Sequence, residues 1–563
     1  MMIDNQLDPR LVNAREMSHI EGSMFAAGMP VAALMEKVGQ KISQQFQKLY
    51  PLVQFPKVGI LVGVGHNGGD ALVVARELWH QGYKVRLCYP INRTPKPLTK
   101  VHSCYARALG IPTTSWQELA DCDVLIDGIF GFGLDREIQG ELAQIFIGIN
   151  EWEKPLVSID LPSGIHTDTG AVMGMALEAQ HTFCLGMWKQ GLFAENAVPY
   201  IGELIGIDFD IPKLMIEVHL HQNHFPRRIS PRSILEDLAQ YKRHVLAHKY
   251  SQGQVLLVVG SVKYGGAALL AALASRAMGT GMITVCVPKS LRQLILEKIP
   301  DALVVGCPET ESGAIKELPD LTREFEQNRY QAIVCGCGLS LETLGIVQNI
   351  IRFSHEYAVP LVLDADGLNL LSQLYLPLWE SNSQPNLKNL KLLESIQFPP
   401  HLVLTPHWGE FKRLFPNIAH DQSDRFTQLK TALDKLAPLH QKSITIVLKG
   451  ARTLIGSVCH GSEPSPLSPR LWVNPESTPA LARGGTGDVL AGMIGGLIAQ
   501  GMTPKDAAIQ STVWHAQTAI YLTQLYTERG VTPLSLVEYL LPFLQNFSPN
   551  SPPNQSVNLL RTH

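Results

Sequence analysis

From Lys57 onward the chain alternates short runs of β-branched and other apolar residues with longer stretches of helical spacing, and it does so in two separate series. Such alternation is the mark of parallel βαβ units, because parallel neighbours need a crossover long enough to hold a helix. The first series runs KVGILVGVG, DALVVARELWHQG, KVRLCYP, DVLIDGIFGFG and PLVSIDLPSG, with Ala14 to Phe46 ahead of it reading as one or two helices that cover the sheet. The second opens with GQVLLVVGS and passes through MITVCVP, ALVVG, YQAIVCGCG, PLVLDADGLNLL, HLVLTPHWGE and SITIVLKGA to two closing helical patterns, from Gly487 and from Lys505. Between Ile207 and Leu246 the period fades, which places a junction near residue 225. A length of 563 residues exceeds what one hydrophobic core supports, so the expectation is α/β, with two three-layer αβα domains at 1–225 and 226–545. The Pro/Ser-rich end, 546–563, has no apolar period and is expected to be disordered, while Glu380 to Glu394, the region around His420 and GSEPSPLSP at 461–469 read as surface insertions.

Composition narrows the partners. With 47 basic and 50 acidic residues the net charge is −3, which gives no reason to expect nucleic acid. Nine cysteines, an odd count without a CxxC pair, read as reduced thiols. Asp4 and Asp8 stand where a secretory signal needs positive charge and then an apolar run, and the most apolar stretches are too short or interrupted to cross a bilayer. The expectation is a cytoplasmic protein with no membrane partner, for which a homo-oligomer is not excluded.

Two glycine loops carry the chemistry. Gly63-Val64-Gly65-His66-Asn67-Gly68-Gly69-Asp70 follows a strand and opens a helix, so backbone amides can approach a phosphate at the positive end of the helix dipole. Glycines in this pattern also serve tight packing alone, and the next strand ends in Leu87-Cys88-Tyr89-Pro90, without the acidic residue that holds a ribose in ordinary dehydrogenases. Asp127 and Asp160 stand at two further strand ends, converging on the same crevice. Asn67, Asp127 and Ser163 offer hard oxygens suited to an alkali or other hard cation.

NGGDA at 67–71, DGIFGFG at 127–133, SIDLPSG at 158–164 and LMEKVG at 34–39 resemble the signature segments of the NAD(P)HX epimerase family, across most of residues 14–210. The resemblance implies a Rossmann-like domain in which His66, Asn67, Gly68, Gly69 and Asp70, together with Gly131, Phe132, Gly133, Leu134, Asp135, Arg136 and Glu137, contact the hydrated cofactor. It further implies that Asn67, Asp127 and Ser163 bind potassium and that Asp160 lies against the substrate. His66 stands where the family commonly has asparagine, Ala71 where it has glycine, and Phe132 where a threonine is usual. The damage to be repaired is a hydroxyl on the carbon beside the ring nitrogen, and a positioned Asp160 is expected to act as general acid and base.

The strongest single motif is Gly484-Gly485-Thr486-Gly487-Asp488, leading into LAGMIGGLIAQG. Glycines and a threonine at a helix start form an anion hole. A carboxylate beside a phosphate is unfavourable without a role in proton or cation handling, so Asp488 is read as the base for a hydroxyl that attacks a terminal phosphoryl group. Lys449, after another strand, is either a phosphate partner or a solvated surface group. DADGLN, TPHWGEF, VLKGA and GGTGDVLAG, in this order, resemble the ADP- or ATP-dependent NAD(P)H-hydrate dehydratase family over about 235–530, whose fold is ribokinase-like. That resemblance implies Ala267, Gly338, His407 and Asp488 at the hydrated nicotinamide, magnesium with ADP or ATP, and Lys449, Gly450, Ala451, Arg452, Thr453, Thr478, Arg483, Gly484, Gly485, Thr486 and Gly487 around the nucleotide. Trp408 replaces a usual proline and Arg483 a usual threonine. The substrates implied are NADHX and NADPHX. The alternative is a ribokinase-type kinase of a vitamin precursor fused to a non-catalytic Rossmann-like domain.

Overall fold

The computed structural model describes residues 7–220, 225–379, 398–420, 424–439, 442–459 and 469–548. The expected insertion at Glu380 to Glu394, nearly all of the 461–469 stretch and the tail beyond residue 548 lie outside the described residues. The chain forms two compact units, one within Ile3–Arg228 and one within Ile229–His563.

In the first unit six parallel strands order as Lys84–Cys88, Lys57–Val62, Val124–Gly128, Leu156–Ile159, His181–Leu185 and Glu203–Ile207. Val124–Gly128 is buried at every position, as a strand covered on both faces must be. The chain leaves Lys57–Val62 toward one edge and then returns to build on its other side. Crossovers of one hand taken in opposite directions put helices on opposite faces, and the crevice opens at that reversal, beyond the carboxyl ends of Lys57–Val62 and Val124–Gly128. The expected leading helices are Ala14–Ala26 and Val31–Leu49. Asn13 begins the first with a capping box to Glu16, and the second buries Leu34, Val38, Ile42 and Phe46 at helical spacing against the sheet's core.

The second unit orders Leu303–Cys307, Met282–Pro288, Gln254–Val258, Ala332–Cys335, Leu361–Leu363, His401–Leu404 and Ser443–Leu448, all parallel. Its reversal falls between Gln254–Val258 and Ala332–Cys335. After Ser443–Leu448 the sheet continues antiparallel through Leu454–Cys459 and Arg470–Val473, a meander that the parallel reading of the sequence did not include. The turn between the first two of these strands is too short for a crossover helix, so only an antiparallel return is possible. The closing helices are Thr486–Ala499, Pro504–Gly530 and Pro533–Gln545. Thr486–Ala499 is buried on nearly all sides, and its glycines make that possible: a Cβ on Gly492 would stand 2.2 Å from the carbonyl oxygen of Ala271. No helix among the described residues is long and apolar enough to cross a membrane.

Candidate active sites at the two strand-end crevices

The helix His66–His80 starts at Gly65 with no side-chain cap, so its first-turn amides are left for an anion. It can start so close to the strand because Gly68 has no side chain: a Cβ there would lie 1.9 Å from the carbonyl oxygen of Gly63. Beside it a cavity of about 340 Å³ is lined by Glu21, His66, Asn67, Asp70, Lys96, Gly131, Phe132, Gly133, Asp160 and Lys189, with Leu34, Met35, Val38 and Phe209 as apolar wall. Of the expected contact residues, His66, Asn67, Asp70, Gly131, Phe132, Gly133 and Asp160 therefore share one space. Gly68 and Gly69 are buried in the packing of the helix, Leu134 joins a neighbouring apolar cluster, and Asp135, Arg136 and Glu137 are exposed beyond the cavity lining.

Asp160 is held tightly. Its backbone is in the left-handed region at φ 70°, which turns the chain sharply out of the strand Leu156–Ile159. One carboxylate oxygen accepts from the Lys189 ammonium at 2.5 Å and from the Leu185 amide at 3.4 Å, and the other accepts from the Phe132 amide at 3.2 Å. Both partners of the ion pair are almost wholly buried, at 1% and 4% side-chain exposure. Burial alone would lower the Lys189 pKa, but the adjacent Asp160 more than offsets it and holds the ammonium charged. Three donors thus face the Asp160 carboxyl, and one lone-pair site, on the oxygen that takes the Phe132 amide, stays open. The hydroxyl missing at Phe132 leaves this arrangement intact, since that residue contributes through its amide and its carbonyl, which accepts from Thr167 at 2.9 Å.

Asp127 is fully buried, accepting from the Ser163 hydroxyl at 2.7 Å, the Ser163 amide at 2.8 Å, the Ser158 hydroxyl at 3.0 Å and the Ile129 amide at 3.1 Å. Burial nevertheless pushes its pKa up, and no cationic side chain pairs with it among the described residues. Asn67 spends its amide nitrogen on the carbonyl of Ile159 at 3.2 Å, which leaves its carbonyl oxygen for another partner. Three titratable residues of this cavity, Glu21, Lys96 and Lys189, have no counterpart in the motifs. Lys189 lies in the apolar segment FCLGMWKQGLF, and Glu21 lies on the helix Ala14–Ala26. A signal existed for Glu21: Met17, Ile20 and Met24 form that helix's buried stripe, and position 21 falls on the same stripe.

In the second unit, Gly485 takes φ 101° and begins the helix Thr486–Ala499, again without a side-chain cap. Asp488 is in its first turn. Cys337, Asp364 and Asp488 bring their ligand atoms within 4.8 Å of one another. Asp364 accepts from Thr405 at 2.6 Å and from Lys449 at 2.8 Å, so the Lys449 ammonium is held by a buried carboxylate and is not a solvated surface group. Burial raises the Asp488 pKa to about 7, with the negative charge of Asp364 adding to it. Burial would lower Lys449, yet Asp364 and Glu410 hold it above its ordinary value.

The other expected residues gather here with different duties. Gly338 takes φ 63°, and a Cβ on it would meet Tyr264 and the Cβ of Ala267 at 2.7 and 2.9 Å. His407 caps the helix Trp408–Leu414: its Nδ1 accepts from the Gly409 amide at 2.9 Å, while Glu410 accepts from the His407 amide at 2.8 Å. Gly450, Ala451, Arg452 and Thr453 form the turn between the antiparallel strands. The Arg452 guanidinium donates to Pro475, that of Arg483 to Val531, the Thr486 hydroxyl to Leu481 and Arg483, and Thr478 caps the short turn Pro479–Leu481. Those side chains are committed to the protein, so a phosphate at Gly484 to Gly487 would meet backbone amides and Lys449, whose ammonium lies 3.1 Å from where a Cβ of Gly487 would be.

Comparison with known proteins agrees with this division. The family model described as NAD(P)H-hydrate dehydratase matches residues 255–542, and that described as YjeF-related protein N-terminus matches residues 31–191. A relative from Thermosynechococcus vestitus, named bifunctional NAD(P)H-hydrate repair enzyme, is 46% identical over 95% of this chain and 98% of its own length. One of the same name from Synechocystis is 42% identical over 98% and 97%. A solved ADP/ATP-dependent NAD(P)H-hydrate dehydratase from Bacillus subtilis, co-crystallised with ATP and Mg2+, is 25% identical, covering 57% of this chain and 99% of its own, with a TM-score of 0.42. By its identity to relatives that it matches over nearly their whole length, this chain belongs to the bifunctional NAD(P)H-hydrate repair enzyme family.

Proposed function

We propose that the first unit interconverts the two epimers of NADHX and NADPHX, and that the second dehydrates one of them to NADH or NADPH at the expense of ADP or ATP. The observation that carries the reading is shared by both crevices: an uncapped, glycine-led helix start stands beside an aspartate, the buried Asp160 in one and the half-buried Asp488 in the other. The helix start takes phosphate, and the acid serves the hydroxylated carbon.

In the first crevice the Lys189-bound carboxylate of Asp160 offsets the positive charge that grows on the ring nitrogen as the hydroxyl departs. Potassium suits Asn67, Asp127 and Ser163, because Asp127 is a buried carboxylate without a cationic partner among the described residues and Asn67 keeps a carbonyl oxygen to offer. The cation there would balance charge behind the glycine loop.

In the second crevice Asp488 takes the proton from the substrate hydroxyl, which then attacks the terminal phosphoryl group of the nucleotide held by Gly484 to Gly487 and Lys449. Hydroxide leaves carbon poorly, whereas phosphate leaves readily as the ring nitrogen pushes its electrons toward the carbon, and loss of a proton from the neighbouring ring carbon to water then restores the carbon–carbon double bond of the reduced cofactor. Magnesium is assigned to the nucleotide's phosphates and not to the trio of Cys337, Asp364 and Asp488, since a thiol is a poor partner for that hard ion and Asp364 already holds Lys449. Both activities are read as those of a cytoplasmic metabolite-repair enzyme.

The test uses the full chain, a mixed pool of hydrated NADH epimers and ATP or ADP, followed by the absorbance of reduced cofactor. The unaltered protein should clear the whole pool. Asp160→Asn should stop when the directly accepted epimer is exhausted, and Asp488→Asn should restore no cofactor, its rate falling about 10²–10⁴-fold. A stable phosphorylated product without restored cofactor would favour the vitamin-precursor kinase instead.

A further inference from the structure

Replacing a hydroxyl on one face of a ring by one on the other needs two proton transfers, one to the group that leaves and one from the water that returns. Asp160 suits the second, since three donors, the ammonium of Lys189 and two backbone amides, face its oxygens and leave one lone-pair site open toward a water. Some other group in the same cavity must supply the first.

The titratable residues lining that space are Glu21, His66, Asp70, Lys96, Asp160 and Lys189. Glu21 enters from the helix Ala14–Ala26, an element separate from those carrying the glycine loops. Its neighbours in charge are Lys189, Asp160 and Asp70. Among the described residues no hydrogen bond ties its carboxyl to the protein, so it is directed to whatever fills the cavity.

We propose that Glu21 is the acid of the epimerase reaction, donating its proton to the departing hydroxyl while Asp160 serves as the base for the water that adds to the opposite face. The proton of Glu21 passes to the hydroxyl oxygen, the carbon–oxygen bond breaks, and the nitrogen lone pair forms the carbon–nitrogen double bond of an iminium. Water then adds to that carbon from the other side, the double-bond pair returns to nitrogen, and Asp160 takes the released proton. Transfer of that proton from Asp160 to Glu21 through the water of the cavity restores both groups, so no oxidant or other co-reactant is consumed.

Burial raises the Glu21 pKa, Asp160 adds to the rise and Lys189 opposes it, for a value of about 7. A group so placed can both give and regain a proton near neutrality. Asp70 differs: burial, with Glu21 and Asp160 adding, lifts it well above its ordinary range.

This proposal rests on reading the first unit as an epimerase, and one experiment separates the two. Epimer interconversion is followed in the full chain without nucleotide, by chromatography of the two hydrates. In Glu21→Gln the kcat should fall about 100-fold, with KM changed by less than about threefold, and the falling limb of the wild-type pH profile above about pH 7 should disappear. Glu21→Asp should recover part of the loss together with the limb. Dehydration of the directly accepted epimer, in the other unit, should be unchanged in both variants. Wild-type kcat and an unaltered limb in Glu21→Gln would overturn the assignment of Glu21 alone. A wild-type protein that does not interconvert the epimers would overturn the epimerase reading itself. Should the glutamine variant fail to fold, a wild-type profile flat between pH 6 and 9 would also reject Glu21 as the acid.

Discussion

Each unit places a lysine against an aspartate at the carboxyl ends of its strands, and the two pairs differ in how much water they keep. Lys189 and Asp160 are sealed in, 2.5 Å apart at 1% and 4% exposure, whereas Lys449 keeps 20% exposure while holding Asp364 at 2.8 Å. The sealed pair fixes a carboxylate that lines the cavity of the first unit. The open pair reverses the emphasis: the buried aspartate fixes an ammonium that faces the glycine loop. In the proposed roles, one pair sets a negative charge toward a growing cation, and the other a positive charge toward a phosphate.

The comparison breaks most sharply under loss of the lysine. Lys189→Met leaves Asp160 buried and unpaired, so the first unit should lose about 3–5 kcal/mol of stability together with its epimerase activity. Lys449→Met should cost the second unit less stability, because the ammonium it removes is partly exposed and water can take its place against Asp364, while dehydration falls about 100-fold or more. Unfolding followed by calorimetry, beside separate assays of the two activities, distinguishes these outcomes. Equal loss of stability in both variants would mean that the two pairs are equivalent after all.

A smaller effect sharpens the same contrast through pH. Burial brings Glu21 and Asp488 each to about 7, yet the proposed roles use the two in opposite proton states. Asp488 acts ionised, so the dehydration rate should climb about tenfold per pH unit below 7 and level off above it. Glu21 acts protonated, so the epimerisation rate should be level below 7 and fall about tenfold per unit above it. Profiles of kcat for the two reactions, measured on one preparation, should therefore cross. Two profiles of the same sense would show that one of these carboxyls has been given the wrong role.

How much of this was legible before the fold follows from distance along the chain. Asp127, Asp160 and Asp488 could be found because each ends an apolar strand or starts a helix within a few residues of glycines, and local pattern reports local geometry. The partners could not be found that way. Lys189 lies 29 positions from Asp160, and Lys449 lies 85 positions from Asp364. Glu21 is different again. Its place on the stripe of Met17, Ile20 and Met24 is visible in the sequence, but a carboxyl on an apolar stripe has meaning only once the cavity behind it is known. The fold class was carried by the βαβ alternation, whereas the antiparallel ending after Leu448 was not, since a hairpin and the start of a crossover have the same apolar strand before them.

The turn at residue 160 also restricts which amino acids the position tolerates apart from any chemistry. A side chain branching from a backbone at φ 70° crowds its own carbonyl, a penalty that glycine escapes and alanine does not. Two inactive proteins, Asp160→Gly and Asp160→Ala, both leave Lys189 without its counter-ion and differ chiefly in that penalty. The glycine protein should be about 1 kcal/mol the more stable and melt a few degrees higher. Stereochemistry and catalysis thus ask different things of one position, and aspartate is among the few residues that answer both.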